Sequence, residues 1–191
     1  MWPATERFGL RTAPSGLALV QDLLNTDAPA GRPTPDDLLS NADSASSWAH
    51  ATLGPDAPSL TASDAEHLRT FRTTLRTTLH PGAEGAAAGA AATAVADGAG
   101  RAAVEVGMAS DGGIVARPAG DGWRYVVGAV LIAARDAQLT GEWPRLKVCR
   151  NDACGTAFYD RSRNSSAVWH DAARCGNAPN LRASRARRRT T

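Results

Sequence analysis

The chain has 191 residues, enough for one domain or one domain with an appendage, and 43% are hydrophobic, enough for a sizeable core. Three cysteines make a poor disulfide framework, and neither the first ten residues, with Glu6 and Arg7, nor the longest apolar run, residues 125–134, reads as a secretory leader or a membrane span. The net charge of +2 conceals a split: residues 1–144 hold 10 basic and 16 acidic residues, a net of −6, whereas residues 145–191 hold 11 and 3, a net of +8.

That asymmetry describes an ordinary body with a polyanion-seeking tail. The expected compartment is the reducing cytoplasm, where clustered cysteines are more often metal ligands than disulfides. Along the chain, Leu17, Val20 and Leu24 predict a short helix over 17–24, ended by Asn25-Thr26-Asp27 and the prolines that follow. Thr34-Pro35-Asp36-Asp37 reads as a helix start, and Asp43 as the cap of another short helix carrying Trp48. The clearest helix is 64–79, with a capping box from Ser63 and Glu66 and a stripe of Leu68, Phe71, Leu75 and Leu79. Arg69, Arg72 and Arg76 fall mostly off that stripe and read as a solvated surface in preference to a binding face.

Residues 83–100 are Ala/Gly-rich, either a weak helix or a connector. Residues 104–106 and 114–117, around Asp111-Gly112-Gly113, predict a β-hairpin. Residues 123–139 predict a helix by length, although β-branched content leaves a strand open at its start. Its buried side is expected to carry Trp123, Val127, Val130, Leu131 and Ala134, and Gly141 ends it. The expected fold class is α+β, mainly α: a helical N-terminal domain with a β-hairpin over residues 1–143, then a small metal-stapled module over 144–191.

All three cysteines fall in that last module. Cys149-x4-Cys154, a 15-residue gap and His170-x4-Cys175 set two close pairs of soft donors on either side of a turn-rich connection. Zinc takes thiolate and neutral imidazole in a closed tetrahedron at structural sites. The same spacing also fits isolated buried thiols with a surface histidine. Trp169 is expected to pack with Phe158 as the module's core, and Asp160 and Asn164 to bond loop backbone. Asp171 fits either a partner of His170 or an ordinary first-turn acid.

Beyond Cys175, Asn177 is placed to cap a helix with Pro179 in its first turn. On such a helix Arg182, Arg185 and Arg189 share a face, flanked by Arg187 and Arg188, and suit phosphate contacts. Arg174 joins them as a candidate contact. A disordered tail that binds polyanions without specificity is the competing reading for its far end. His50, His67 and His80 are isolated, and no His-Glu-x-x-His, Walker loop or dinucleotide fingerprint occurs, so an enzyme is not expected.

Residues 144–189 resemble the CGNR zinc finger, named for a Cys-Gly-Asn-Arg motif. The resemblance is carried by Cys149, Cys154, Phe158, Asp160, Ser162, Asn164, Trp169 and Cys175-Gly176-Asn177. Leu17–Thr26, Trp48 and the stripe from Leu68 to Leu79 are similar to the ABATE domain usually paired with it, described as a stress-induced transcription regulator. The resemblance implies a bacterial DNA-binding regulator with one structural zinc per chain, cytoplasmic and nucleoid-associated. It also implies His170 as the fourth ligand, since the family carries cysteine directly after the tryptophan. The chain departs from the family at Ala178, where the motif has arginine, and at Ser165-Ser166-Ala167-Val168, often arginine-rich in relatives. A zinc-stapled protein-interaction module is therefore the second functional reading. The two-part layout also suggests a small-molecule or protein effector, or a homodimer, for the N-terminal body, with no ligand or interface named by the sequence.

Overall fold

A computed structural model describes residues 1–27, 36–79, 93, 102–151 and 153–176. Five helices, α1 (Pro3–Glu6), α2 (Leu17–Leu24), α3 (Ala42–Leu53), α4 (Ala62–Leu79) and α5 (Gly122–Leu139), are described together with two antiparallel hairpins. The first hairpin pairs β1 (Ala103–Met108) with β2 (Ile114–Ala119), and the second pairs β3 (Leu146–Val148) with β4 (Ala157–Tyr159). The fold is α+β and mainly α.

Helix α2 is the centre. All eight of its residues are buried, the polar Gln21 and Asp22 among them. It packs against α1, α4, α5 and β4. A helix surrounded on every side has no face left for charge, so each polar group on it must be bonded. Asp22 accepts from the Thr5 N–H at 2.7 Å, the Ala4 N–H at 3.4 Å and Trp48 Nε1 at 2.8 Å. Its carboxylate thus caps the first turn of α1, whose own N-cap residue Trp2 supplies no side-chain cap. Burial pushes the Asp22 carboxyl upward against these bonds.

The arginines of α4 overturn the expectation of a solvated face. Arg72 is only 4% exposed. It forks onto Asp37, Nη1 to Oδ1 at 2.7 Å and Nη2 to Oδ2 at 2.8 Å, and also donates to Thr26 Oγ1 at 2.8 Å. Burial raises the Asp37 carboxyl, but the Arg72 bond and charge outweigh it and hold the group below its ordinary value. Arg76 pairs with Asp27 at 3.0 Å and donates to the Leu24 carbonyl, and Arg69 donates to the Leu39 carbonyl. From the other side Arg7 donates to the carbonyls of Asn25 and Thr26 at 2.8 and 2.7 Å. The carbonyls left over at the C-terminal end of α2 are therefore covered by guanidinium groups, which also suit the negative end of the helix dipole.

Three helix starts differ from expectation. Residues 38–40 form a turn, and Asp37 bonds the Leu39 N–H and Arg72 without opening a helix; Thr34 and Pro35 lie outside the described residues. Asn41 and Ser44 form the capping box of α3, leaving Asp43 in its first turn. Thr61 and Asp64 cap α4, two residues before the expected Ser63. The other oxygen of Asp64 accepts the Trp123 N–H at 3.1 Å and so anchors α5. A Cβ on Gly122 would sit 2.4 Å from that oxygen, and Gly122 has φ of +56°, so only glycine fits this junction.

On α5 the expected Trp123, Val127 and Val130 are buried, and Val126, Ala133 and Ala137 take the places expected of Leu131 and Ala134, which are half-buried. The predicted β1–β2 hairpin and its turn at Asp111-Gly112-Gly113 are present. The segment 83–100 lies outside the described residues.

The second hairpin docks on this body. Leu146 and Ala157 belong to the same apolar cluster as α2, α4 and α5. The Asn25 side chain binds the β4 backbone as a neighbouring strand would: Nδ2 donates to the Ala157 carbonyl at 3.0 Å, and Oδ1 accepts the Ala157 N–H at 2.9 Å. The buried amide, with Gln21 Nε2 at 3.5 Å from the same carbonyl, thus satisfies a strand edge that lies away from water.

Candidate metal centre

Strand β3 runs directly into Cys149, whose N–H donates to the Thr156 carbonyl at 2.9 Å and so adds a rung to the β3–β4 ladder. The chain then turns tightly. The Cys154 N–H donates to the Asn151 carbonyl at 2.7 Å, and Gly155 adopts φ of +59°. This knuckle presents Cys149 and Cys154 to the same side. Arg150 N–H donates to the Val168 carbonyl at 2.9 Å, which brings the segment ahead of His170 alongside.

Cys175 arrives on a single π-type turn, Ala172–Gly176. Asp171 starts that turn: its Oδ1 accepts the Arg174 N–H at 3.0 Å, and its carbonyl accepts the Cys175 N–H at 2.8 Å. Asp171 is thus a first-turn acid, as one of the two sequence readings has it, but not an idle one: its bonds to the turn backbone position Cys175. Trp169 packs on the small cluster of Phe158 and the three cysteines. Its ring lies against Gly176, where a Cβ would meet Trp169 Cε3 at 3.3 Å. Glycine after Cys175 lets the turn close over the indole.

The four expected ligands are brought together. The donor atoms of Cys149, Cys154, His170 and Cys175 all lie within 4.8 Å of one another, and the three cysteines are buried. His170 Nδ1 is 3.3 Å from Cys154 Sγ and 3.5 Å from Cys175 Sγ. Bond lengths of about 2.3 Å to sulfur and about 2.0–2.1 Å to nitrogen imply sulfur–nitrogen edges of about 3.5 Å in a zinc tetrahedron. The donor set and its spacing therefore fit a metal ion.

Electrostatics point the same way. Hydrogen bonding from Cys149, helped by His170 and Thr156, pushes the Cys154 thiol down to about 3. Cys149 is pushed up, first by its bond to Cys154 and then by burial, and Cys175 is pushed up by burial and the Cys154 charge. Burial and mutual charge thus set the three thiols against one another. A divalent ion relieves that repulsion and takes thiolates from all three.

Asp160 organises the loop between knuckle and turn. It is 1% exposed. Oδ1 accepts the Ser162 N–H at 2.8 Å, and Oδ2 accepts the Ala167 N–H at 2.8 Å and Lys147 Nζ at 2.7 Å. Lys147 also donates to the carbonyls of Ser165 and Ala167. Burial alone would raise the Asp160 carboxyl; the bonds from Lys147 and Ser162 override it and hold the group at about 2. Because the folded value lies below the unfolded one, this contribution is complete above about pH 4 and is lost as pH falls toward 2. The shift from 3.8 to about 2 corresponds to about 2 kcal/mol. In the metal-loaded protein at neutral pH, Asp160→Asn should lower stability to urea by about 2 kcal/mol, and the gap should narrow with acid because only the wild type loses this contribution. Equal stability of the two at neutral pH would contradict the assignment.

Sequence reasoning did not single out Lys147 as the partner of Asp160, Thr156 beside Cys154 (Sγ to Oγ1 3.1 Å) or Asn25 under β4. Only the adjacency of Lys147 to Cys149 hinted at any of them. Asn164 is exposed. His67 stacks on Trp123 with centroids 4.9 Å apart, and His50 Nε2 lies 2.9 Å from the Ala57 carbonyl, so neither reaches the centre; His80 lies outside the described residues. Arg174 is exposed beside the site and pairs loosely with Asp171 at 3.5 Å. The remaining nucleic-acid candidates, Asn177, Arg182, Arg185, Arg187, Arg188 and Arg189, also lie outside the described residues.

A helical body carrying a three-cysteine, one-histidine finger defines the class of the molecule as a metal-finger protein. Family models agree in the same order along the chain. The CGNR zinc finger matches residues 145–188. ABATE, described as "Putative stress-induced transcription regulator", matches residues 17–142, more than half of the chain. The chain belongs to the ABATE family and carries a CGNR zinc finger. No curated protein matches it.

Proposed function

We propose that this chain is a zinc-dependent DNA-binding transcription regulator. The observation that carries the reading is the convergence of Cys149, Cys154, His170 and Cys175 inside the segment matched by the zinc-finger model. One zinc per chain, held by these four residues, supplies a cross-link between the knuckle and the turn bearing Cys175. Four protein donors leave the ion no open position for water, so its role is structural and no catalytic step is assigned. Cys175 then becomes the fixed point from which the basic segment departs. Arg174, Asn177, Arg182, Arg185 and Arg187 to Arg189 supply the contacts to phosphates. Among the described residues no helix is long and apolar enough to cross a membrane, and this reading places the protein on cytoplasmic DNA.

Selection from a random duplex pool should enrich one sequence. The logarithm of its affinity should fall linearly with the logarithm of salt, by about 0.9 per phosphate neutralised. Binding with no sequence preference would reduce the tail to a polyanion anchor. Absence of binding at low salt would favour the second reading, a zinc-stapled module for an acidic protein partner. Ala178 in place of the motif arginine and the uncharged Ser165–Val168 stretch support that second reading.

A further inference from the structure

Four of the six large apolar side chains left exposed among the described residues lie on the β1–β2 hairpin: Val104, Val106, Met108 and Ile114. Val106 is 71% exposed, Met108 74% and Ile114 70%. Side chains alternate across a strand, so Val104, Val106 and Met108 share one face of β1. Their cross-strand partners are Pro118, Ala116 and Ile114. One face of the hairpin is therefore wholly apolar, while the other carries Glu105 opposite Arg117. Pro118 is close to α5, since a Cβ on Gly128 would lie 3.5 Å from Pro118 Cβ. Toward the turn, Val106, Met108 and Ile114 face solvent.

A two-stranded hairpin is marginal by itself in water, and an unprotected edge is a template for another strand. The two edges differ. Strand β2 contains Pro118, which has no N–H to offer, and the exposed Arg117. Strand β1 is exposed along all six residues, has no proline or lysine, and pairs residue for residue with β2 without a bulge.

We propose that β1 is the interface of a symmetric homodimer, pairing antiparallel with β1 of a second copy to make a four-stranded sheet. A second copy is the occupant because the strand complements itself in one register. A two-fold axis through Val106 sets Val106 against the partner's Val106, Val104 against the partner's Met108, and Glu105 against the partner's Gly107. The two apolar faces then join into one. An axis through Glu105 would oppose two carboxylates directly. An axis through Gly107 would shorten the ladder, and an axis between residues would set apolar against polar faces.

Sedimentation equilibrium of the full-length, metal-loaded protein should give twice the 19.8 kDa chain mass, dissociating on dilution. Val106→Asp places two carboxylates on the axis and should return the mass to one chain, with metal content and helical circular dichroism unchanged. In the wild type, exchange of the β1 amides should slow as protein concentration rises, a readout that needs no variant. A chain that stays monomeric at its highest soluble concentration overturns the proposal. So does a dimer that survives Val106→Asp, which would put the interface elsewhere. Amide protection independent of concentration overturns it too, and would mean that another segment of the same chain covers the face. None of these readouts involves DNA, so they stand apart from the test of the finger.

Discussion

Cys175→Ser should remove the metal from the purified protein. Wild type is expected to bind about one zinc per chain, and the serine variant to lose affinity by more than the ~10–100-fold that removal of an outer partner of a metal ligand costs. The reason is geometric as well as chemical. Cys175 is the ligand carried by the Ala172–Gly176 turn, and a serine hydroxyl is a poor substitute for thiolate on zinc. The segment from Asp160 to Gly176 should then lose its order, because the apolar cluster it packs into is small, only Ala167, Trp169 and Cys175 of the segment meeting Phe158, Cys149 and Cys154 among the described residues. The β3–β4 hairpin should keep more of its structure, since Leu146 and Ala157 sit in the main core and Asn25 holds β4. Metal analysis, with amide exchange mapped along the chain, reads both effects. A variant with full zinc content would remove Cys175 from the ligand set. Acidification should release the metal from the wild type, because three thiols must be deprotonated to bind it.

Arg72→Met should be the most damaging single change in the body. The variant keeps an unbranched apolar stem but removes the guanidinium, and so leaves Asp37 and Thr26 without their partner inside the fold. Breaking one partner of a buried ion pair costs about 3–5 kcal/mol, and the partial exposure of Asp37, 22% by its side chain, argues for the lower end. Against total stabilities of about 5–15 kcal/mol this is a large fraction. Urea unfolding of the metal-loaded protein should show the loss. The double variant Arg72→Met with Asp37→Asn should recover part of it, and strictly additive losses would contradict a direct pair.

The contrast between these two sites shows where sequence reading reaches. The metal cluster was legible because soft ligands are rare and their spacing is local chemistry: the two pairs, Cys149 with Cys154 and His170 with Cys175, are each separated by four residues. Asp160 was legible as a turn residue for the same reason, its Oδ1 bonding two residues on. The role of Arg72 was not. On a helical wheel it lies off the apolar stripe, and nothing local distinguishes an arginine facing solvent from one facing Asp37, which is 35 residues away. Helix caps failed by a few residues where two capping sequences competed, as Thr61 with Asp64 did against Ser63 with Glu66, because packing of α5 on Asp64 decided between them.

By itself the sequence determined the class of the fold, the stretches that become α2, α4, α5 and the β1–β2 hairpin, the four soft donors that cluster, and the family. The fold class and the stretches rest on periodicity and local turn chemistry, the donors on the scarcity and spacing of soft ligands, and the family on its resemblance to known motifs. The tertiary structure alone decided that α2 is buried on all sides, that arginines cover its last carbonyls, and that Asn25 serves as a strand for β4. It also decided that the finger's hairpin shares the body's core. Those outcomes depend on pairs of residues up to 132 positions apart, and only the folded chain brings such pairs within the few ångströms over which a hydrogen bond acts.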